Sequence, residues 1–262
     1  MPVRDSYTHG TPSWIDLSTS DPAAAREFYG TIFGWEFDAQ PTDQGGEYIM
    51  ALKGGKSAAG MMQQAPEQAE MGVPPMWNTY VTVTDVDSTV AKVEPAGGSV
   101  MAPPMQVMDA GRMAVVVDPT GAVLCLWQAE NHPGAQVINE HGALTWSECQ
   151  TPDVDGAAKF YAELFGWGTD EMDMGDMGTY TVFMLGADGV AGGMNPPMEG
   201  VPPHWSTVFA VDDTDGCVDA ARAAGATIIV EPIDIPVGRQ AVIADPQGAV
   251  FGVIKLADPD AA

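Results

Sequence analysis

The 262-residue chain carries 36 acidic and 10 basic side chains, a formal charge of −26. Phosphate contacts need clustered Lys and Arg, so nucleic acids and anionic membrane surfaces are excluded as partners. Hydrophobic residues make up 45%, with 7 Trp and 8 Phe, which is enough for real cores, yet no apolar run approaches the ~20 residues of a membrane span.

Met1 to Thr11 is polar and lacks the order of a signal peptide, a charged stretch followed by an apolar one. Cys125, Cys149 and Cys217 are widely spaced, with no CxxC pair. Neither a disulfide framework nor a zinc knuckle is expected, and reduced thiols in a cytoplasmic protein are.

In chain order, Ser13 to Ser18 reads as a short strand. Asp21-Pro22 then starts a helix, because Asp supplies a capping oxygen and Pro suits the first helical position. Ala25, Phe28, Tyr29 and Ile32 recur at helical spacing on one face, and Gly34 ends the helix. Strands follow at Tyr48 to Leu52 and Gly60 to Met62. A Gln/Pro/Glu-rich loop leads to a strand at Thr79 to Val83, and a second helix is expected from Asp85 to Pro95. Met113 to Val117 and Val123 to Trp127 form the closing pair of strands around the turn Asp118-Pro119-Thr120-Gly121.

The same series then repeats. Trp14, Asp21, Phe28-Tyr29 and Phe33-Gly34-Trp35 match Trp146, Asp153, Phe160-Tyr161 and Phe165-Gly166-Trp167 at a constant offset of 132, which Tyr48/Tyr180 and Gly60/Gly192 keep. From Val73/Val201 the offset is 128. The expected organisation is α+β: a tandem repeat of paired βαβββ units with curved sheets around two cavities. Residues 11–129 form the first copy, 130–142 a linker, and 143–256 the second copy.

The motif D-x-x-x-A-x-x-F-Y-x-x-x-F-G-W after the first strand, with D-P-x-G before the last, resembles the vicinal-oxygen-chelate superfamily. That group includes glyoxalases, bleomycin-resistance proteins and dioxygenases. The tandem arrangement is similar to an actinobacterial branch labelled hydroxylase-like, glyoxalase-like or 27 kDa antigen. The resemblance implies inward metal ligands at three strand positions per copy. In this sequence those positions hold Trp14, Asn78 and Cys125 in the first copy and Trp146, Ser206 and Gly252 in the second. None is a His or a carboxylate, so no metal and no other resident cofactor is expected.

Strand alternation sorts what faces the cavities instead. Trp14, Asp16 and Ser18 point inward with Asn78, Tyr80 and Thr82; in the second copy Trp146, Glu148 and Gln150 do so with Ser206, Val208 and Ala210. Each copy thus sets a Trp beside a carboxylate. Asp16 and Glu148 are the candidate catalytic groups. Trp14, Tyr48, Asn78, Tyr80, Cys125, Trp146, Tyr180 and Ser206 are the candidate ligand-binding set. The plain alternatives remain open: the acids are solvated or paired with Arg112 or Arg239, the tyrosine hydroxyls lie at a rim, and Cys125 is a small buried hydrophobe. The first copy, being more polar, is expected to carry the working pocket. His204 precedes a strand and matches Met76, which argues against a symmetric role.

The 16 methionines cluster in segments read as loops: Met61-Met62, Met71, Met76, Met101, Met105, Met108, Met172, Met174, Met177, Met194 and Met198. Collectively they suggest permissive apolar surfaces. The functional expectation is binding of a small apolar or aromatic organic molecule, a metabolite or antibiotic. The alternative is a metal-independent hydroxylase-, lyase- or glyoxalase-like enzyme using Asp16 or Glu148 with the tyrosines. A protein-interaction role rests only on the acidic surface.

Overall fold

The computed structural model describes residues 3–42, 45–175, 178–196 and 200–257. The first copy runs β1 (Pro12–Thr19), α1 (Pro22–Phe33), β2 (Glu36–Pro41), β3 (Glu47–Lys53), β4 (Lys56–Gln63), α2 (Pro66–Glu70), β5 (Met76–Thr82), α3 (Val86–Val90), β6 (Ser99–Val107), β7 (Gly111–Val117) and β8 (Val123–Ala129). The second runs β9 (Ala143–Gln150), α4 (Val154–Phe165), β10 (Gly168–Asp173), β11 (Thr179–Leu185), β12 (Asp188–Met194), β13 (His204–Ala210), α5 (Thr214–Ala223), β14 (Thr227–Ile235), β15 (Gly238–Ala244) and β16 (Val250–Leu256). Each copy makes one eight-stranded mixed sheet, in the orders β2-β3-β4-β1-β5-β8-β7-β6 and β10-β11-β12-β9-β13-β16-β15-β14. The two orders are identical under the repeat, so the repeated sequence gives a repeated fold.

Local chemistry accounts for the elements. Asp21 accepts from the Ala23 and Ala24 amides and Asp153 from the Gly156 amide. Gly34 and Gly166 end their helices in the left-handed region, at φ 67° and 74°. One helix departs from expectation: α3 is five residues long where a helix to Pro95 was expected, whereas its counterpart α5 has ten. Val86, Thr89, Val90 and Val93 are β-branched, and Pro95 disfavours helical backbone at Glu94. The chain continues instead in i→i+3 turns, Lys92 to Thr89 and Val93 to Val90. The edge strands β2 and β6 carry mostly exposed alternate residues, which hid them from a reading based on apolar pattern.

The cores are shared between the copies. Helix α1 and the underside of β1 and β4 pack with α5, β13, β15 and β16 of the second copy, through Phe28, Tyr29, Phe33, Phe209 and Phe251. Helix α4 and its strands pack in the same way with β7 and β8 of the first copy, through Phe160, Tyr161, Leu124 and Leu126. A buried polar bridge crosses each core. The Tyr29 hydroxyl donates to Asp245 Oδ2 at 2.9 Å and accepts from Trp77 Nε1 at 3.1 Å. Tyr161 donates to Asp118 Oδ2 at 2.8 Å and accepts from Trp205 Nε1 at 2.9 Å. Each carboxylate belongs to the D-P-x-G turn of the other copy.

The repeat also reaches further back than Trp14. His9-Gly10 and His141-Gly142 keep the offset of 132, and Gly10 and Gly142 oxygens accept from Trp167 and Trp35 Nε1, each at 2.7 Å. The Nδ1 atoms of His9 and His141 accept from the Thr84 and Asp212 amides. These histidines therefore work as structural acceptors.

Among the described residues no helix is long and apolar enough to cross a membrane. The methionines are dispersed. Met61 lies fully buried in a helical core, and Met71, Met101, Met105 and Met108 are exposed. Met61, Met62, Met76, Met101, Met105, Met172 and Met194 sit on strands rather than in loops, while Met177 and Met198 lie outside the described residues.

Because both cores draw on both copies, the chain is expected to unfold in one cooperative transition, followed by urea titration of near- and far-UV circular dichroism. Tyr29→Phe and Tyr161→Phe each strand a buried indole N–H and a carboxylate, costing about 1–3 kcal/mol without splitting the transition. Two separated transitions would show that the halves are independent.

Candidate functional site

The concave face of each sheet is assembled on its four central strands. Strand β1 pairs with β5 so that Trp14 faces Tyr80 and Asp16 faces Asn78, and β5 pairs with β8 so that Tyr80 lies beside Cys125. In the second copy Trp146 faces Val208, Glu148 faces Ser206, and Val208 lies beside Gly252.

In the first copy these groups form a closed network around Asp16. Tyr80 donates to Oδ2 at 2.7 Å, Tyr48 to Oδ2 at 3.3 Å, and Asn78 Nδ2 to Oδ1 at 2.8 Å. Trp14 Nε1 donates to the Tyr48 hydroxyl at 2.9 Å. The tyrosine hydroxyls thus point at the acid rather than lying at a rim. Asp16 is 1% exposed. Burial raises its pKa, and the three donors partly oppose that rise. Burial, together with the charge of Asp16, also pushes the Tyr48 and Tyr80 hydroxyls up. Cys125 is buried, and desolvation raises its thiol, which disfavours the thiolate that a nucleophile requires.

The segment expected to be a passive linker covers this face. His132 stands edge-on to Trp14 with ring centroids 4.4 Å apart, and its carbonyl accepts from Trp127 Nε1 at 2.9 Å. Ala135 is fully buried, and its amide reaches Ser13 O at 2.7 Å. The close approach needs Gly134 before it, since a Cβ there would lie 2.5 Å from Ser13 O. Desolvation brings His132 down to about 4. The face expected to carry the working pocket is therefore packed with the chain's own residues. Reading 130–142 as composition alone missed this; the signal was the apolar set Ala135 and Ile138 inside an otherwise polar stretch.

The second copy repeats the chain of contacts with fewer members. Trp146 Nε1 donates to Tyr180 at 2.7 Å, and Tyr180 donates to Glu148 Oε2 at 2.7 Å. Gln150 Nε2 donates to Glu148 Oε1 at 2.9 Å. Val208 replaces Tyr80, so Glu148 has two side-chain donors where Asp16 has three. Ser206 and Gly252 replace Asn78 and Cys125, and each change removes volume. Trp146 and Gln150 are partly exposed where Trp14 and Ser18 are buried, while Tyr180 and Ser206 are partly exposed like Tyr48 and Asn78, and Val208 is buried like Tyr80. Burial raises the Glu148 pKa, while Tyr180, Gln150 and the charge of His204 oppose it.

His204 opens β13 rather than preceding it, opposite Gln150 in register and two residues from Ser206. Its Nδ1 lies 2.9 Å from Pro202 O. A proton on Nδ1 satisfies that carbonyl and leaves Nε2 as an acceptor. The arginines do not serve the acids: Arg112 pairs with Asp87, and Arg239 with Asp215 and Asp234.

Gly60 and Gly192 are required by these tyrosines. A Cβ on Gly60 would sit 2.0 Å from the Tyr48 hydroxyl, and one on Gly192 would sit 1.8 Å from that of Tyr180. Each phenol passes over its glycine to reach the acid on the next strand.

The fold implies a metal at the inward positions, and the residues there do not fit one. Trp14, Asn78 and Cys125 in one copy, and Trp146, Ser206 and Gly252 in the other, offer no convergent set of His or carboxylate donors. Among the described residues no three His, Cys, Asp or Glu side chains are placed to share an ion.

Comparison with known proteins agrees with the repeated fold. The sequence pattern of the Glyoxalase/Bleomycin resistance protein/Dioxygenase superfamily matches residues 11–126 and again 144–253. CFP32 of Mycobacterium tuberculosis, which carries a provisional glyoxylase label, is 48% identical over 98% of this chain and 99% of its own. The anthracycline biosynthesis protein DnrV of Streptomyces peucetius is 34% identical over 95% of this chain and 94% of its own. Among solved structures, the 2,3-dioxygenase LapB of Pseudomonas sp. KL28 superposes with a TM-score of 0.66 at 16% identity, covering 98% of this chain and 97% of that one. The Mn(II)-bound glyoxalase of Novosphingobium aromaticivorans gives 0.65 at 15% identity, over 97% and 86%.

Two outcomes follow. Gly192→Ala should expel the Tyr180 ring and strip Glu148 of a donor, raising its carboxyl further; NMR titration of the Glu148 side chain reads this. The second concerns stability. Asp16 and Glu148 carry native pKa values above their unfolded ones, so the native state holds protons that the unfolded chain has released. This stabilisation is full below the unfolded values and is lost as pH rises through the native ones. Asp16→Asn and Glu148→Gln should each flatten the fall of urea midpoint with rising pH, measured upward from about pH 4. An unchanged slope in both would show that neither acid is shifted.

Proposed function

The chain belongs to the Glyoxalase/Bleomycin resistance protein/Dioxygenase superfamily, and from that premise we propose that it binds a planar, largely apolar aromatic molecule on the concave face of the second copy, with Glu148 as the polar anchor. The carrying observation is the difference between the two acids. Asp16 has three side-chain donors and lies under the cover of His132 and Ala135, whereas Glu148 has two and lies beside the partly exposed Trp146. An ionised carboxylate accepts about four hydrogen bonds, so Glu148 has room for a hydroxyl donor from a ligand. Val208 and Ser206 are smaller than the Tyr80 and Asn78 they replace, and an aromatic wall with a few polar groups is the usual make-up of a small-molecule site. The 34% identity to a protein named for anthracycline biosynthesis supports a polycyclic, hydroxylated aromatic ligand.

A second reading is catalytic. A carboxyl with a raised pKa, bonded to a phenol and near the His204 imidazole, suits proton transfer, and the glyoxylase label on CFP32 names a reaction type of that kind. The first copy would then serve as scaffold, with its Asp16 network retained for packing.

The probe for binding is 1,8-dihydroxyanthraquinone, titrated against tryptophan fluorescence. Glu148→Gln should weaken it about tenfold, the usual scale for losing a hydrogen bond to a charged group. Val208→Phe should abolish binding by filling the face, and Asp16→Asn should leave it unchanged. Binding that survives Val208→Phe and is lost in Asp16→Asn would place the ligand in the first copy. The catalytic reading is tested with the hemithioacetal of methylglyoxal, whose isomerisation needs only proton transfer; turnover that survives chelator and is lost in Glu148→Gln supports it.

A further inference from the structure

The N-terminal segment and the end of the linker are related by the repeat, and they close the two copies differently. In the first copy, Gln136 zips onto β4: its amide reaches Ser57 O at 2.7 Å and its side-chain oxygen accepts from the Ser57 amide at 3.1 Å. Together with the Ala135 contact to Ser13, this seals the edge of Trp14. At the offset of 132, Arg4 stands where Gln136 does and Gly189 where Ser57 does. The Arg4 amide, however, reaches Gln136 O at 3.0 Å, and among the described residues no bond ties Arg4 to Gly189. The segment stands off β12, and a cavity of about 420 Å³ opens in the gap.

We infer that this cavity is a second small-molecule site, selective for a planar aromatic monocarboxylate. Its volume falls within the range of ligand pockets, roughly 300–1,000 Å³. One wall is apolar, built from Trp146, Leu185 and Val190. Gly189 adds no side chain to that wall; a Cβ there would meet Val182 Cγ1 at 3.0 Å and touch the far edge of the Trp146 ring at 3.6 Å. Arg4 lies at the rim, exposed, with its guanidinium 5.5 Å from the Tyr7 ring centroid. Among the described residues no carboxylate is within ion-pair distance of Arg4, although Asp188 lines the same cavity. A guanidinium fork matches a carboxylate in geometry and charge, and Asp188 opposes a ligand carrying more than one negative charge.

The site is separate from the concave face: neither Glu148 nor Tyr180 lines it. Only Trp146 touches both, with its Nε1 edge toward Tyr180 and its benzo edge toward Gly189. The inference is therefore independent of the function proposed above.

The test is calorimetric titration of the full chain with 2-naphthoate and with its uncharged methyl ester. Naphthoate should bind at one site. Arg4→Ala, in an exposed segment remote from the cores, should weaken it about tenfold and change the ester by less than about twofold. Gly189→Leu should abolish naphthoate binding by filling the cavity, and Val208→Phe, which blocks the concave face, should leave it intact. No binding of naphthoate, equal affinity of Arg4→Ala and the parent chain, or loss of binding in Val208→Phe would each overturn the assignment. If Gly189→Leu fails to fold, the contrast between Arg4→Ala and Val208→Phe still decides.

Discussion

The side chains of Tyr29 and Tyr161 are fully buried, and each hydroxyl is held by an indole of its own copy and a carboxylate of the other. A buried hydroxyl without partners is costly, and so is a buried acid without donors. The Asp of each D-P-x-G turn must therefore meet the helix of the opposite copy. That constraint makes the two repeats one packed unit. It also fixes each helix beneath a sheet and leaves the other side of that sheet to form a cavity.

The cavities are then free to differ, because none of the residues in the bridges lies on the concave faces. The repeat kept Trp, Tyr, Gly and an acid on both faces and let the rest diverge. Tyr80 became Val208, Asn78 became Ser206, Cys125 became Gly252. In the first copy the polar groups satisfy one another and the chain folds over them, so Asp16 is a completed network. In the second copy the same scaffold with smaller neighbours holds an acid whose donors are incomplete. More polar residues in one copy thus correspond to more internal satisfaction.

The glycine–tyrosine pairs show how the scaffold limits such divergence. Tyr48 and Tyr180 cross a neighbouring strand at the level of Gly60 and Gly192, where any Cβ would overlap the phenol oxygen. Acid, tyrosine and glycine are tied together by excluded volume, and a change at one requires a change at the others. The offset that links Tyr48 with Tyr180 and Gly60 with Gly192 is the trace of this coupling.

Much of the architecture was legible in the sequence. The helix caps at Asp21 and Asp153, the stops at Gly34 and Gly166, and the alternation that sends Asp16 and Glu148 inward all depend on residues within a few positions of one another. Which residues stand at the ligand positions implied by the family resemblance could be counted along the strands. Three things were not legible. The shared cores and the Tyr–Asp bridges join residues 216 and 43 positions apart, and nothing local marks such partners. The seating of His132 and Ala135 on Trp14 depends on where the chain between the copies finds an uncovered apolar face. The gap beside Gly189 arises because Arg4 does not make the contacts that Gln136 makes. Sequence determined which side chains face each cavity, because strand geometry is local. Only the tertiary structure decided which cavity is filled, because that is settled by excluded volume and by which buried donors and acceptors find one another across the fold.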